Sequence, residues 1–125
     1  MYVFNNKTYI HGSFITLEYG VYKVSCDEPE LEFRFSDQIL QKLDEKHGVT
    51  IEEVYEAFDN SDGRTLIDTR DRHKSHPPTE WFISQTRKGR SLKICYIFDE
   101  DKNIIFVKTA YEPNAEEDRI FNKYA

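Results

Sequence analysis

The sequence predicts an α+β fold in which helices pack on an antiparallel sheet. Three observations lead there. Apolar residues recur at every second position through much of residues 64–110, as half-buried strands require. Two short runs between residues 36 and 60 keep helical spacing instead, with start and stop signals at their ends. Strands gathered in a run beside helices gathered in a run describe α+β architecture. A chain of 125 residues fits one domain, burying roughly two-thirds of its unfolded surface.

The elements follow in order. Tyr2-Val3-Phe4 turns at Asn5-Asn6 into Thr8-Tyr9-Ile10, with a second turn at His11-Gly12. Residues 14–18 and 21–25 read as another hairpin around Tyr19-Gly20, and Leu31, Phe33 and Phe35 alternate with charges. Asp27-Glu28-Pro29-Glu30 is an acidic break that no strand interior would hold. Ser36 is placed as an N-cap before the apolar stripe Ile39, Leu40 and Leu43, and Lys46-His47-Gly48 makes a cationic last turn with a glycine stop. Thr50 followed by Glu53 is a capping box, after which Ile51, Val54, Tyr55 and Phe58 keep helical spacing up to Asn60-Ser61-Asp62-Gly63. Four strands are expected over residues 64–69, 79–87, 91–98 and 103–110, in a meander. Pro113-Asn114 then opens a terminal helix carrying Ile120, Phe121 and Tyr124.

Charge is distributed unevenly. Residues 64–93 hold eight Lys/Arg against three Asp/Glu, a balance of +5 in a chain of net charge −6. Such a block attracts anions over roughly a Debye length, ~8 Å at physiological salt. It comprises Arg64, Arg70, Arg72, Lys74, Arg87, Lys88, Arg90 and Lys93, with Trp81 and Phe82 among them. A phosphate backbone would suit that surface, although charge blocks are more often the solvated faces of hairpin strands. The sequence pI of 5.2 excludes nonspecific coating of nucleic acid, so any contact must be local. Cys26 and Cys95 lie far apart in apolar runs and read as buried free thiols. No apolar stretch approaches the ~20 residues of a membrane span, and no secretory signal is visible, so a cytoplasmic setting is expected.

The spacing of short motifs supports a closer comparison. Residues 45–49, Asp62-Gly63-Arg64, Asp68-Thr69-Arg70, His73-Lys74, Pro77-Pro78-Thr79, Trp81-Phe82-Ile83, Lys88-Gly89-Arg90, Leu92-Lys93 and residues 107–114 together resemble a BrnT-type toxin of the RelE-like superfamily. The resemblance covers about residues 33–125. It implies a RelE-like domain over 33–125, preceded by an N-terminal β extension over 1–32. The chain departs from the pattern where Ile39 and Leu43 replace polar residues of the first helix, which makes that helix a packing element. Close relatives sometimes carry the label of an ADP-ribosyl-(dinitrogen reductase) hydrolase. Those hydrolases are larger helical proteins with clustered acidic metal ligands, which this sequence lacks.

What the resemblance implies is the toxin of a bacterial toxin–antitoxin pair, a metal-independent ribonuclease acting on mRNA. Its partners would be a cognate antitoxin, mRNA and the ribosome, with no membrane and no cofactor. Attack of a 2′-OH on the adjacent phosphate needs a proton acceptor, a proton donor and cations on the phosphate oxygens. The candidate catalytic residues are Lys46, His47, Arg90, Lys108 and Glu112, and the candidate RNA-binding residues are Arg64, Arg70, Arg72, Lys74, Arg87, Lys88, Lys93, Trp81 and Tyr111. Lys108 draws attention as a lone cation in a long apolar strand. His73 and His76, with His47, have no companion at metal-ligand spacing, so a zinc site is rejected. The rival expectation is a noncatalytic protein-binding or accessory module on the same fold.

Overall fold

The computed structural model describes residues 2–4, 7–9, 31–70 and 76–125. The strands expected over 14–18 and 21–25, Cys26, and the loop residues Arg72, His73 and Lys74 lie outside them. Near the N-terminus, β1 (Tyr2–Phe4) pairs antiparallel with β2 (Lys7–Tyr9) in a two-stranded sheet of their own.

The main sheet has five strands: β3 (Glu32–Arg34), β4 (Leu66–Ile67), β5 (Thr79–Gln85), β6 (Ser91–Asp99) and β7 (Ile104–Tyr111). Their spatial order is β3-β7-β6-β5-β4. The expected antiparallel sheet is corrected here to a mixed one, because β3 runs parallel to β7 while the other pairs are antiparallel. Two interactions seat β3 there. The Glu32 N–H donates to the Asn103 carbonyl at 3.0 Å, and Phe33 meets Tyr55 and Phe58 edge to face.

The helices begin where their caps demand. Ser36 Oγ accepts from the Ile39 N–H and starts α1 (Asp37–Lys42). The chain then widens into a π-helical turn, Leu43–His47, that buries Leu43. Gly48 closes it at φ 60°, and the Gly48 and Val49 N–H groups both donate to the Leu43 carbonyl. The Thr50–Glu53 capping box opens α2 (Ile51–Asn60), whose Val54, Ala57 and Phe58 are buried. Phe58 packs on Phe82 and Tyr96, so α2 covers one face of the sheet. Trp81 precedes Phe82 in β5 and therefore points to the opposite face. There it meets Phe121 of α3 (Ala115–Tyr124) at 5.9 Å.

The first strand of the meander is shorter than expected. Asp62 and Asp68 each take the N–H of the arginine two residues on, at 3.1 Å in both cases. These side-chain turns bend the backbone away from the ladder at both ends of β4. A second irregularity sits in β7. Cys95 opposes Thr109 and Tyr96 opposes Val107, which leaves Lys108 as the extra residue of a β-bulge.

Gly48 yields a direct test. A Cβ there would meet nothing within 4 Å, so substitution strains only the left-handed backbone. Gly48→Ala should lower stability by about 1–2 kcal/mol, seen as a reduced urea midpoint, and Gly48→Asn by less. An unchanged midpoint in Gly48→Ala would show that the turn does not need this conformation.

Candidate functional site

The sheet face under α3 carries a polar cluster. Lys93 of β6 lies opposite Ile83 of β5 and Tyr111 of β7. Its ammonium is 4.4 Å from the Trp81 ring centre and 5.6 Å from that of Tyr111. Lys93 is only 6% exposed, so this charge needs a strong partner. The partner is Glu117, in the first turn of α3. Its Oε1 accepts from the Asn114 N–H at 3.0 Å, while Asn114 Oδ1 accepts from the Glu117 N–H at 2.8 Å, completing a capping box. That leaves Oε2 to accept from both Lys93 Nζ and the Tyr111 hydroxyl, each at 2.8 Å.

Ionisation follows the geometry. Burial opposes the Glu117 carboxylate, but hydrogen bonds from Lys93, Asn114 and Tyr111 outweigh it and hold its pKa below the ordinary value. Burial likewise opposes the Lys93 ammonium, and the Glu117 bond with the surrounding groups raises its pKa nonetheless. Burial and the bond to Glu117 raise the Tyr111 phenol, so it keeps its proton at neutral pH. The His47 ring stands edge-on to Tyr111, 5.4 Å between centres. Its pKa is lowered by burial and by Lys42 and Lys46, which leaves a neutral imidazole at pH 7.

Arg70 extends the cluster from the other side. Asp68 fixes it with two bonds, from Nε at 3.0 Å and Nη2 at 2.8 Å, and it lies near enough to Cys95 and Tyr111 to interact electrostatically with both. Burial pushes the Cys95 thiol up to about 11, so this cysteine stays protonated at neutral pH. The structure thus gathers His47, Arg70, Trp81, Lys93 and Tyr111 from the sequence candidates on one surface.

Arg90 and Glu112 sit beside that surface in a different arrangement. Arg90 Nε donates to Glu112 at 2.8 Å, Nη1 to the Gly48 carbonyl at 2.9 Å and to Glu53 at 3.0 Å, and Nη2 to the His47 carbonyl at 3.2 Å. Four protein acceptors thus hold it in place. Arg64 is similarly paired with Asp62 at 2.9 Å. Arg87 and Lys88 are exposed in the β5–β6 turn, their side-chain charges with no carboxylate partner among the described residues, and Lys46 and Lys108 are also exposed. Trp81 is 8% exposed and serves as the floor under Lys93.

Glu117 and Asp68, which hold the cluster together, were not among the sequence candidates. The Asn114…Glu117 spacing is a capping-box signal that could have drawn attention to the first of them. Among the described residues, no three His, Cys, Asp or Glu side chains gather in a metal-holding group. Nor is any described helix long and apolar enough to cross a membrane. No family model matches this chain, and no curated protein matches it at a significant level.

Proposed function

We propose that this chain is the toxin of a toxin–antitoxin pair of BrnT type, a metal-independent ribonuclease acting on mRNA at the sheet face under α3. The observation that carries the reading is the chain of contacts from His47 through Tyr111 and Glu117 to Lys93. Neutral His47 takes the proton of the 2′-OH as its oxygen bonds to phosphorus. The bond from phosphorus to the 5′-oxygen breaks, and the Tyr111 hydroxyl supplies that oxygen with a proton. Lys93 offsets charge on the phosphate oxygens and on the phenolate left behind, with Arg70 as a second cation. The product is a 2′,3′-cyclic phosphate and a free 5′-OH. The ribosome would present the mRNA, and the antitoxin would cover this face.

One observation favours a noncatalytic protein-binding module instead. Arg90 is engaged by four protein acceptors, and Lys93 and Arg70 are each already paired with a carboxylate. The two readings separate in a cleavage assay on mRNA, with and without ribosomes, run in excess chelator. A ribonuclease should lose about 10²–10⁴-fold in rate on His47→Gln with its thermal midpoint nearly unchanged. Its rate should rise with pH through a value below that of an ordinary imidazole, as His47 gives up its proton. Absence of cleavage and of toxicity on expression, or full activity in His47→Gln, would leave the binding module as the better description.

A further inference from the structure

A second concavity lies on the same side of the molecule as the open edge of β5. β4 joins the ladder only at Leu66, so residues 62–64 diverge from β5 and open a cavity of about 260 Å³. Its wall includes Asp62, Arg64, Ile83, Gln85, Asp118 and Phe121. The Thr79 carbonyl accepts from the Asp68 N–H, which fixes the side of β5 that faces β4. Strand alternation puts the backbone groups of Trp81, Ile83 and Gln85 on that same side. The Gln85 carbonyl is taken by Asn60 Nδ2 at 2.7 Å. Ile83 lies beyond the last β4 pairing, with its N–H and C=O directed toward the opening.

Two features of this cavity select a ligand. The Arg64 guanidinium carbon lies 5.2 Å from the centre of the Phe121 ring, and Asp62 accepts from its Nε at 2.9 Å. Its side chain is 48% exposed, so solvent reaches it beside the ring. An accessible guanidinium is a stacking partner for a planar base. Asp118 stands in the wall as a carboxylate with no side-chain partner among the described residues, an acceptor for paired N–H donors. Two and three residues past Gln85 come Arg87 and Lys88, exposed cations whose side chains have no carboxylate partner among the described residues. The Arg87 N–H donates to Glu56 at 3.0 Å, which fixes that turn against α2.

We infer that this cavity is a guanine subsite for single-stranded RNA, separate from the His47–Lys93 surface and resting on the ribonuclease reading above. The base stacks on Arg64, and its N1–H and 2-amino group donate to Asp118. Ile83 supplies a backbone donor and acceptor at the edge of the base. Arg87 and Lys88 meet the flanking phosphates. Guanine fits because it alone among the four bases presents two adjacent donors to one carboxylate. Adenine and uracil lack that pair, and cytosine has a single amino donor with an acceptor beside it.

The test is an NMR titration of the full chain with the four nucleoside 5′-monophosphates in chelator. GMP should shift the amides of residues 62–64, 83–85 and 118–122 saturably, about tenfold more tightly than AMP. Asp118→Asn should abolish that preference while leaving the spectrum folded. Arg87→Ala with Lys88→Ala should weaken all four nucleotides alike and flatten the salt dependence. Equal binding of all four bases, an unchanged GMP preference in Asp118→Asn, or shifts confined to Lys93 and Tyr111 would overturn the subsite. If RNA is cleaved yet GMP leaves the cavity amides unmoved, the subsite falls and the ribonuclease reading stands. If GMP seats as described in a chain that cleaves no RNA, the ribonuclease reading falls and the subsite stands.

Discussion

Replacing Lys93 with methionine should destabilise the protein by about 3–5 kcal/mol, because it strands a largely buried carboxylate. The side chains of Lys93 and Glu117 are 8% and 20% exposed, so water can replace little of the lost interaction. Methionine fills the space over Trp81, which keeps the loss electrostatic. Adding Glu117→Gln to Lys93→Met should recover much of the stability, since removing both charges also removes the burden of burying them. The sign of the pH dependence follows from the two shifts. Glu117 has a lowered folded pKa, so its contribution is present above its unfolded value and lost as pH falls through the folded one. Lys93 has a raised folded pKa, so its contribution is present below its unfolded value and lost as pH rises through the folded one. The difference between wild type and Lys93→Met should therefore be flat across neutral pH and shrink at both extremes. Denaturant melts at a series of pH values measure it. A deficit under 1 kcal/mol at pH 7 would show that the pair carries no such weight.

Local chemistry explains which parts of this fold were legible in the sequence. The Ser36 cap, the Thr50–Glu53 box and the Gly48 stop all read directly, because each is decided by residues within one turn. The long strands β5, β6 and β7 read from their alternation. The π-helical turn at Leu43–His47 did not, since the apolar stripe of a short helix is the same whether its last turn is α or π. The direction of β3 was equally hidden. Three alternating residues fit a parallel or an antiparallel neighbour, and only contact with Phe58 and the Asn103 carbonyl decides between them. The shortening of β4 was written in the two Asp-x-Arg motifs, whose aspartates bond their own backbones.

The polar cluster was only half legible, and the reason is distance along the chain. Lys93 and Glu117 are 24 residues apart and on different elements, so neither predicts the other. Read alone, Glu117 is an acid in the first turn of a helix, where the dipole already accounts for it. Lys108 stood out for a different reason. A lone cation in an apolar strand suggests chemistry, and the structure sets it in a bulge with its side chain exposed. The +5 block also looks different once folded, because Arg64, Arg70, Arg90 and Lys93 each meet a carboxylate. Four of those acids, Glu53, Asp62, Glu112 and Glu117, lie outside residues 64–93. A charge count over a segment cannot see them.

Arg90→Ala should lower stability by about 1.5–3 kcal/mol, a folding effect at a residue that the sequence alone placed among the catalytic candidates. Its guanidinium joins three elements: the carbonyls of His47 and Gly48 at the π-turn, Glu53 in the first turn of α2, and Glu112 at the end of β7. Glu53 is also the acid of the Thr50 capping box, so the same carboxylate ties the start of α2 to the sheet through Arg90. Removing the arginine leaves two carbonyls and a partly buried carboxylate without that donor. Arg90→Lys should not restore the loss, because one ammonium cannot span the acceptors that the planar fork reaches. Amide exchange should quicken at Gly48, Val49 and the first turn of α2, while the β5–β6 ladder stays protected. His47 follows its own carbonyl, so its ring should loosen against Tyr111, seen as a weakened contact in NMR. If Arg90→Ala keeps the wild-type midpoint and exchange pattern but loses RNA cleavage, the guanidinium acts on substrate and its protein contacts are incidental. If the midpoint falls and Arg90→Lys falls with it, Arg90 is the clamp that sets His47 in place.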